Sequence, residues 1–291
     1  LQAGHPDEAY AHMRLSVHDS AEGFADRPGE VALAWRNLAV VARRTGRLSE
    51  ARQALDQGLR LSEGVPMTWA DRLDLGQTQV MLAHDLGHYA EARDLLDSVL
   101  SQTTRPIQRL PLLRMLANAE WGLGHLTETQ AAAEAALALA PPERPGWNGL
   151  LARQARARAL AMAGATEQAL AEAAAVVQGL RELGNADEAL EVLRARRVMG
   201  EVQARAGAWP EALALLQPVA RQQAAAQGAQ ALELAQTLDL IGCVQRELRA
   251  YEAAQEAHRR AASLMAERLP PDHPLRLRNA LKPVRDDYDV I

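Results

Sequence analysis

Very little of this 291-residue chain is aromatic, and almost none of its basic charge is lysine. It holds one Phe, one Lys (Lys282) and one Cys (Cys243), and aromatic residues make up 3% of the total. A lone Cys excludes an internal disulfide and suits a reducing compartment, so a cytoplasmic setting is expected. β-Branched residues are sparse beside the abundant Ala, which argues against an all-β or doubly wound α/β fold. No uncharged apolar run reaches the length of about 18 residues that a membrane-spanning helix needs. Even the stretch AAAEAALALA at 131–140 is short and carries Glu134. No charged-then-apolar leader opens the sequence at Leu1, so no secretory signal is expected. Glycine-rich phosphate loops, Gly-x-Ser-x-Gly, His-Glu-x-x-His and the kinase motifs are all missing. The expectation is therefore a protein without enzymatic activity, cofactor or metal. Acidic residues outnumber basic ones, 37 against 32, for a formal net charge of −5.

What the sequence does contain is repetition. A Gly, followed five residues later by Ala and then by apolar or small residues four and seven further on, recurs along the chain. The instances begin at Gly4, Gly46, Gly87, Gly124, Gly164 and Gly207, spaced 37 to 43 residues apart. A seventh instance, around Arg249, keeps Ala254 and Ala261 but has no Gly. Before each Gly lies a helical pattern of small and apolar residues, such as Trp35, Leu38, Ala39 and Ala42 ahead of Gly46. A second helical pattern follows. Each unit thus reads as a helix, a tight turn at a Gly that tolerates positive φ, and a second antiparallel helix. One such pair cannot bury both apolar stripes, so neighbouring pairs must stack.

The residues resemble those of the tetratricopeptide repeat. Trp35, Leu38, Ala39, Gly46 and Ala51 match the pattern in one unit, and Gly87, Tyr89 and Ala92 in the next. Gly200, Gly207, Trp209 and Ala212 match again, as do Gly242, Tyr251, Ala254 and Ala261. Gly124, Ala136 and Pro141 fit with Thr129 in place of an Ala. The period near 41 is similar to the longer repeats of kinesin light chains and of bacterial regulatory proteins. Asp272-His273-Pro274 with Leu277, Asn279, Ala280 and Leu281 resembles the helix opening of those longer units. The resemblance implies an all-α, right-handed superhelical solenoid of antiparallel helix pairs, with about six full pairs and half-repeats at both ends. The expected organisation is a single solenoid over 1–291, in which 1–20 is the second half of a truncated repeat. Residues 30–268 carry the repeats, and 274–291 a solvent-facing capping helix and tail, with Pro283 ending or kinking the helix. Loops are expected at 21–29, 63–69, 101–107, 141–149, 181–187 and 269–274.

The same resemblance implies that the first helix of each pair lines a concave groove through its repeat positions 2, 5, 9, 12 and 13. Carried over unit by unit, this nominates Arg36, Arg43, Arg44, Met81, His84, Arg114, Asn118, Trp121, Arg158, Arg194, Arg197, Arg205 and Arg246. Arg114 and Asn118 resemble part of the carboxylate clamp that some tetratricopeptide domains use on chaperone tails. The clamp's next Asn falls at Ala155. Asn37, one position further along, resembles the asparagines with which kinesin-light-chain repeats hold peptide backbone. About nine arginines face about five acids on this face of an acidic protein. Guanidinium forks suit carboxylates and phosphates, and Trp121 offers an apolar contact, so an acidic peptide with an apolar anchor is the expected ligand. A solvated face with local ion pairs, its Arg content set by codon usage, weighs equally. His84 and His88 have a metal-compatible spacing, but Gly87 sits between them at the turn and they read as exposed turn residues. Cys243 reads as a packing or groove residue.

The leading functional expectation is a protein-interaction scaffold, the regulatory or sensing part of a larger bacterial protein. The resemblance implies neighbours such as a Ser/Thr kinase, a cyclase or a transcription activator. Two alternatives stand beside it. A nucleic-acid-binding solenoid is disfavoured by an isoelectric point near 5.9 and the lack of an aromatic ladder. Self-association would use apolar surface at the truncated N-terminal end, around Tyr10, Met13 and Leu15.

Overall fold

In a computed structural model, the described residues are 6–24, 26–225 and 231–282. They form α-helices joined by short turns, with no strand among them. The helices cluster into two compact units, Leu1–Gln102 and Thr103–Ile291. The first unit holds α1 (Pro6–Gly23), α2 (Pro28–Arg44), α3 (Leu48–Ser62), α4 (Trp69–Asp85) and α5 (Tyr89–Gln102). The second begins with α6 (Pro106–Leu123), α7 (Leu126–Leu139), α8 (Gly146–Met162) and α9 (Thr166–Glu182). It continues through α10 (Leu190–Arg205), α11 (Trp209–Ala225), α12 (Ala231–Glu247), α13 (Tyr251–Arg268) and α14 (Pro274–Ala280). The pairs are α2/α3 and α4/α5 in the first unit, and α6/α7, α8/α9, α10/α11 and α12/α13 in the second. First helices of successive pairs also touch: α2 with α4, and α6, α8, α10 and α12 in series. α1 packs against α2.

The turn between the two helices of a pair is the same object six times. In each, the amide one residue past the turn position bonds back to a carbonyl five residues earlier. Arg47 donates to Ala42, His88 to Ala83, His125 to Glu120, Ala165 to Leu160, Ala208 to Gln203 and Ala250 to Gln245, at 2.8–3.0 Å. This closure satisfies carbonyls that the helix end leaves open, and it needs a left-handed residue at the turn. Gly46, Gly87, Gly124, Gly164 and Gly207 supply it with φ of 76–80°. In the last pair Arg249 takes the place of Gly, at φ 60°, the one non-glycine residue with positive φ among those described. The turn therefore forms without its Gly, at a strain that a side chain carries and Gly does not. Gly4 lies outside the described residues.

Small residues set how closely the paired helices approach. Ala51, Ala92, Ala169 and Ala212 are fully buried at one repeat position, and Thr129, which replaces Ala there, bonds its hydroxyl to the His125 carbonyl at 2.8 Å. At Gly58 an added Cβ would lie 2.9 Å from the Ala32 carbonyl oxygen, so α3 meets the α2 backbone directly. Leucines and valines fill the rest, among them Leu55, Leu96, Leu112, Leu180, Val192 and Leu216.

The C-terminal helix α14 is seven residues long and largely exposed, but it buries Asn279, whose side chain donates to Asp239 of α12 at 2.6 Å. Lys282, just beyond it, reaches Asp239 at 2.5 Å and the Cys243 sulfur at 3.2 Å. His258 of α13 bonds the same carboxylate from its Nδ1 at 3.0 Å. Burial alone would raise the Asp239 carboxyl. The His258, Lys282 and Asn279 contacts outweigh it and hold the group well below the usual carboxylate range. The helix is pinned because a buried carboxylate requires partners and these residues supply them. The expected tail at 283–291 lies outside the described residues.

Candidate ligand face on the first helices

In the first unit the face-lining side chains bind one another. Arg36 donates its Nε to Thr78 Oγ1 at 3.1 Å and lies 3.4 Å from Asp74, both on α4. It also holds the exposed Asn37 through that residue's side-chain oxygen at 3.0 Å. Arg43 meets Asp85 at 2.7 Å. Burial raises the Asp85 carboxyl, but bonding to His84 and the charge of Arg43 lower it further than burial lifts it. His84 stands 3.7 Å from Asp85 and edge-on to Tyr89, with ring centroids 5.2 Å apart. Met81 is half-buried and Arg44 exposed. Arg36 and Arg43 thus bridge α2 to α4 with their charges matched.

The second unit spreads the same kind of side chain over α6, α8, α10 and α12, with a different balance. Arg158 of α8 pairs with Glu201 of α10 at 3.3 Å and lies over the Trp121 ring of α6, 5.5 Å from its centroid. Arg205 approaches the same Glu201 at 3.4 Å. Burial pushes Glu201 up, and Arg158, Arg197 and Arg205 together bring it below its ordinary value. Arg194 pairs with Glu233 of α12. Arg246 turns aside to its neighbour Glu247 at 3.1 Å. Asn118 is half-buried on α6.

On this face Arg114 and Arg197 make no salt bridge with a carboxylate. Arg114 donates its Nε to the neutral Asn148 at 3.0 Å, and burial lowers its pKa to about 10. Arg197 has no hydrogen-bond or ion-pair partner among the described residues, and its Nε is buried. Burial first, then the nearby charges of Arg158 and Arg194, lower its pKa to about 10 against the opposing pull of Glu201 and Glu233. Both remain cationic at neutral pH. Across this face the cations Arg114, Arg158, Arg194, Arg197 and Arg205 meet only Glu201 and Glu233. The Oε1 of Gln154, on α8 beside Arg158, is also buried without a partner. The arrangement can accept an anion in two-point geometry at Arg197, with Trp121 as the adjacent apolar surface.

Several partners were absent from the sequence-derived set: Thr78, Asn148 and Glu233. A signal for them existed, because the contacts run at about one repeat length. Arg36 to Thr78 and Arg43 to Asp85 each span 42 residues, and Arg194 to Glu233 spans 39. At the N-terminal end, Tyr10 is covered by Arg47, 4.7 Å from its ring centroid, while Leu15 is exposed. No group of His, Cys, Asp and Glu among the described residues could hold a metal ion. His88 bonds Glu91 at 3.3 Å and stays half-exposed. No helix of the described residues is long and apolar enough to cross a membrane.

No family model and no curated protein matches the sequence. Solved structures do match. The chain is similar to a Rap protein complexed with competence and sporulation factor, at TM-score 0.71 and 16% identity over 90% of this chain and 72% of that one. It is similar to PlcR of Bacillus thuringiensis in complex with the peptide PapR7 and DNA, at TM-score 0.60 and 14% identity, covering 81% and 84% of the two chains. It is also similar to the kinesin-light-chain TPR-like repeats of Podosopora anserina, at TM-score 0.51 and 22% identity, covering 69% and 97%. At these identities the likeness concerns the fold, and the fold is an all-α helical repeat of the tetratricopeptide type.

Proposed function

We propose that the chain is a non-enzymatic peptide-binding scaffold, and that the arginine face of the second unit is where its ligand sits. The observation that carries this reading is Arg197, a half-buried guanidinium that makes no hydrogen bond or salt bridge among the described residues, with Glu201 and Glu233 acting on it only through space. Burying a cation without a partner costs stability, and an anionic ligand removes that cost when it binds. The fitting ligand is a segment with a carboxylate for Arg197 and an apolar side chain for Trp121, and Gln154 and Asn118 supply bonds to its backbone. Two neighbours in fold, PlcR with PapR7 and Rap with its factor, were solved with bound partners, which supports a binding role for such helices. The setting we infer is a regulatory or sensing segment in the bacterial cytoplasm.

A peptide array of varied Asp and Glu content tests the proposal. Peptides retained by the wild-type chain should be acid-rich and should be lost with Arg114→Ala plus Arg197→Ala, at unchanged circular dichroism. Retention that ignores acid content, or survives both substitutions, overturns it. Retention of nucleic acid instead, collapsing steeply with salt, would move the reading to phosphate binding.

A further inference from the structure

The sequence holds one thiol and one side-chain amine, and the fold puts them in contact. Of 32 basic residues a single one is Lys. That residue, Lys282, places its Nζ 3.2 Å from Sγ of Cys243, the only Cys, across 39 residues of sequence. Asp239 fixes the amine from the side. Its Oδ2 holds the Lys282 ammonium at 2.5 Å, while its Oδ1 accepts from Asn279 at 2.6 Å and bonds Nδ1 of His258 at 3.0 Å. An Arg would satisfy a carboxylate equally, in two-point geometry, and every other basic residue of the sequence is Arg. A guanidinium stays protonated and is no nucleophile, whereas an amine becomes one by giving up a proton. Lys therefore stands at the one place where that difference has a chemical consequence. Cys243 is only partly covered, so a molecule as small as peroxide reaches its sulfur.

We propose that Cys243 and Lys282 form an oxidative cross-link, a sulfenamide bond between Sγ and Nζ that locks the end of α14 onto α12. The oxidant is a peroxide. In the first step the Cys243 sulfur takes one peroxide oxygen and is oxidised by two electrons to sulfenic acid. The O–O bond breaks, and the other oxygen leaves as water with the thiol proton. In the second step Lys282 passes one ammonium proton to Asp239 and from there to solvent. The freed lone pair attacks sulfur, the S–N bond forms and the S–O bond breaks. The departing hydroxide takes a second proton from nitrogen and leaves as water. Sulfenic acids condense in this way with a nitrogen held close by, and at 3.2 Å the two atoms are already in contact. A small thiol reverses the link by attacking sulfur, which returns the amine. The reduced chain thus holds α14 by noncovalent contacts and the oxidised chain by a bond. This inference is independent of the peptide-binding reading.

The test treats the folded chain with a few equivalents of hydrogen peroxide, digests it with trypsin and reads the peptides by mass spectrometry. The expected product joins the peptide holding Cys243 to the one holding Lys282, weighs two hydrogens less than their sum, and is separated by dithiothreitol. Lys282→Arg keeps a cation on Asp239 and removes the amine. It should stop at sulfenic acid, trapped by dimedone, with an unchanged circular dichroism spectrum. In the wild type the cross-link should slow amide exchange across α14 by about tenfold or more, because opening the helix no longer frees its far end. A wild type that yields as much trapped sulfenic acid as Lys282→Arg overturns the proposal. So does passage to sulfinic acid or to a disulfide-linked dimer with no joined peptide, or no change at Cys243 in either chain. A joined peptide that carries an added oxygen overturns the direct S–N bond. A link that forms equally in urea overturns the role of the folded contact.

Discussion

The two units use the same side chain for different ends. In the first, Arg36 and Arg43 cross from α2 to α4 and find Asp74, Thr78 and Asp85, so each guanidinium ties one pair to the next. In the second, Arg158 and Arg194 do likewise through Glu201 and Glu233, but Arg114 ends on a neutral amide and Arg197 makes no direct bond, with Glu201 and Glu233 acting on it only through space. An arginine-rich face is therefore not evidence of a ligand by itself. The informative quantity is the cation left over after neighbouring repeats have met. That surplus lies in the second unit, and a surplus of buried charge is kept at a cost to stability.

Substitutions sharpen the contrast, beginning with the largest effect. Glu201→Ala in the second unit leaves Arg158, Arg197 and Arg205 facing one another without their shared carboxylate and should destabilise by roughly 2–3 kcal/mol. Arg43→Met in the first unit removes one of the partners of Asp85, at a more exposed pair, and should cost about 1 kcal/mol. Both are read from urea midpoints. Arg197→Met should go the other way, raising stability by about 0.5–1 kcal/mol, because a guanidinium without a partner is replaced by an apolar side chain of similar length. If Arg197→Met destabilises as Arg43→Met does, the two units are alike and the contrast fails. Arg249→Gly relieves the left-handed strain of the last turn and should add up to about 1 kcal/mol in thermal melts.

Acid provides a smaller, graded test. Asp85, Glu201 and Asp239 all have folded values below their ordinary ones. Each therefore contributes stability that is complete above the unfolded carboxylate pKa of about 4 and is lost as pH falls through the folded value. The urea midpoint should be flat from neutral pH down to about 5 and should decline below 4. Asp239→Asn should flatten that decline, and it should release α14, which hydrogen exchange at Asn279 would register.

How much of this was legible in the residues follows from the range over which each feature is determined. The turns were legible because a left-handed position selects Gly locally, and Arg249 shows the rule yielding where the surrounding pair is strong enough to impose the same turn. The arginines nominated on the first helices came from the tetratricopeptide resemblance, and in the structure Arg158 and Arg194 reach carboxylates on the next first helix. The matching of charges was not legible, since it depends on the register between helices about forty residues apart. Glu233 escaped because it lies just before the positions assigned to its helix, yet it meets Arg194. α14 was legible through its resemblance to the opening of longer repeats, and Leu277 and Leu281 are exposed, but its anchor Asn279 is polar and gives no hydrophobic signal.

The most direct test is titration calorimetry of one acidic peptide retained on the array against three versions of this chain: wild type, Arg197→Met and Arg43→Met. The account predicts a loss of a hundredfold or more with Arg197→Met and a change within about twofold with Arg43→Met, in line with a buried two-point anion contact at one site and a satisfied ion pair at the other. Equal losses, or a loss confined to Arg43→Met, would contradict it.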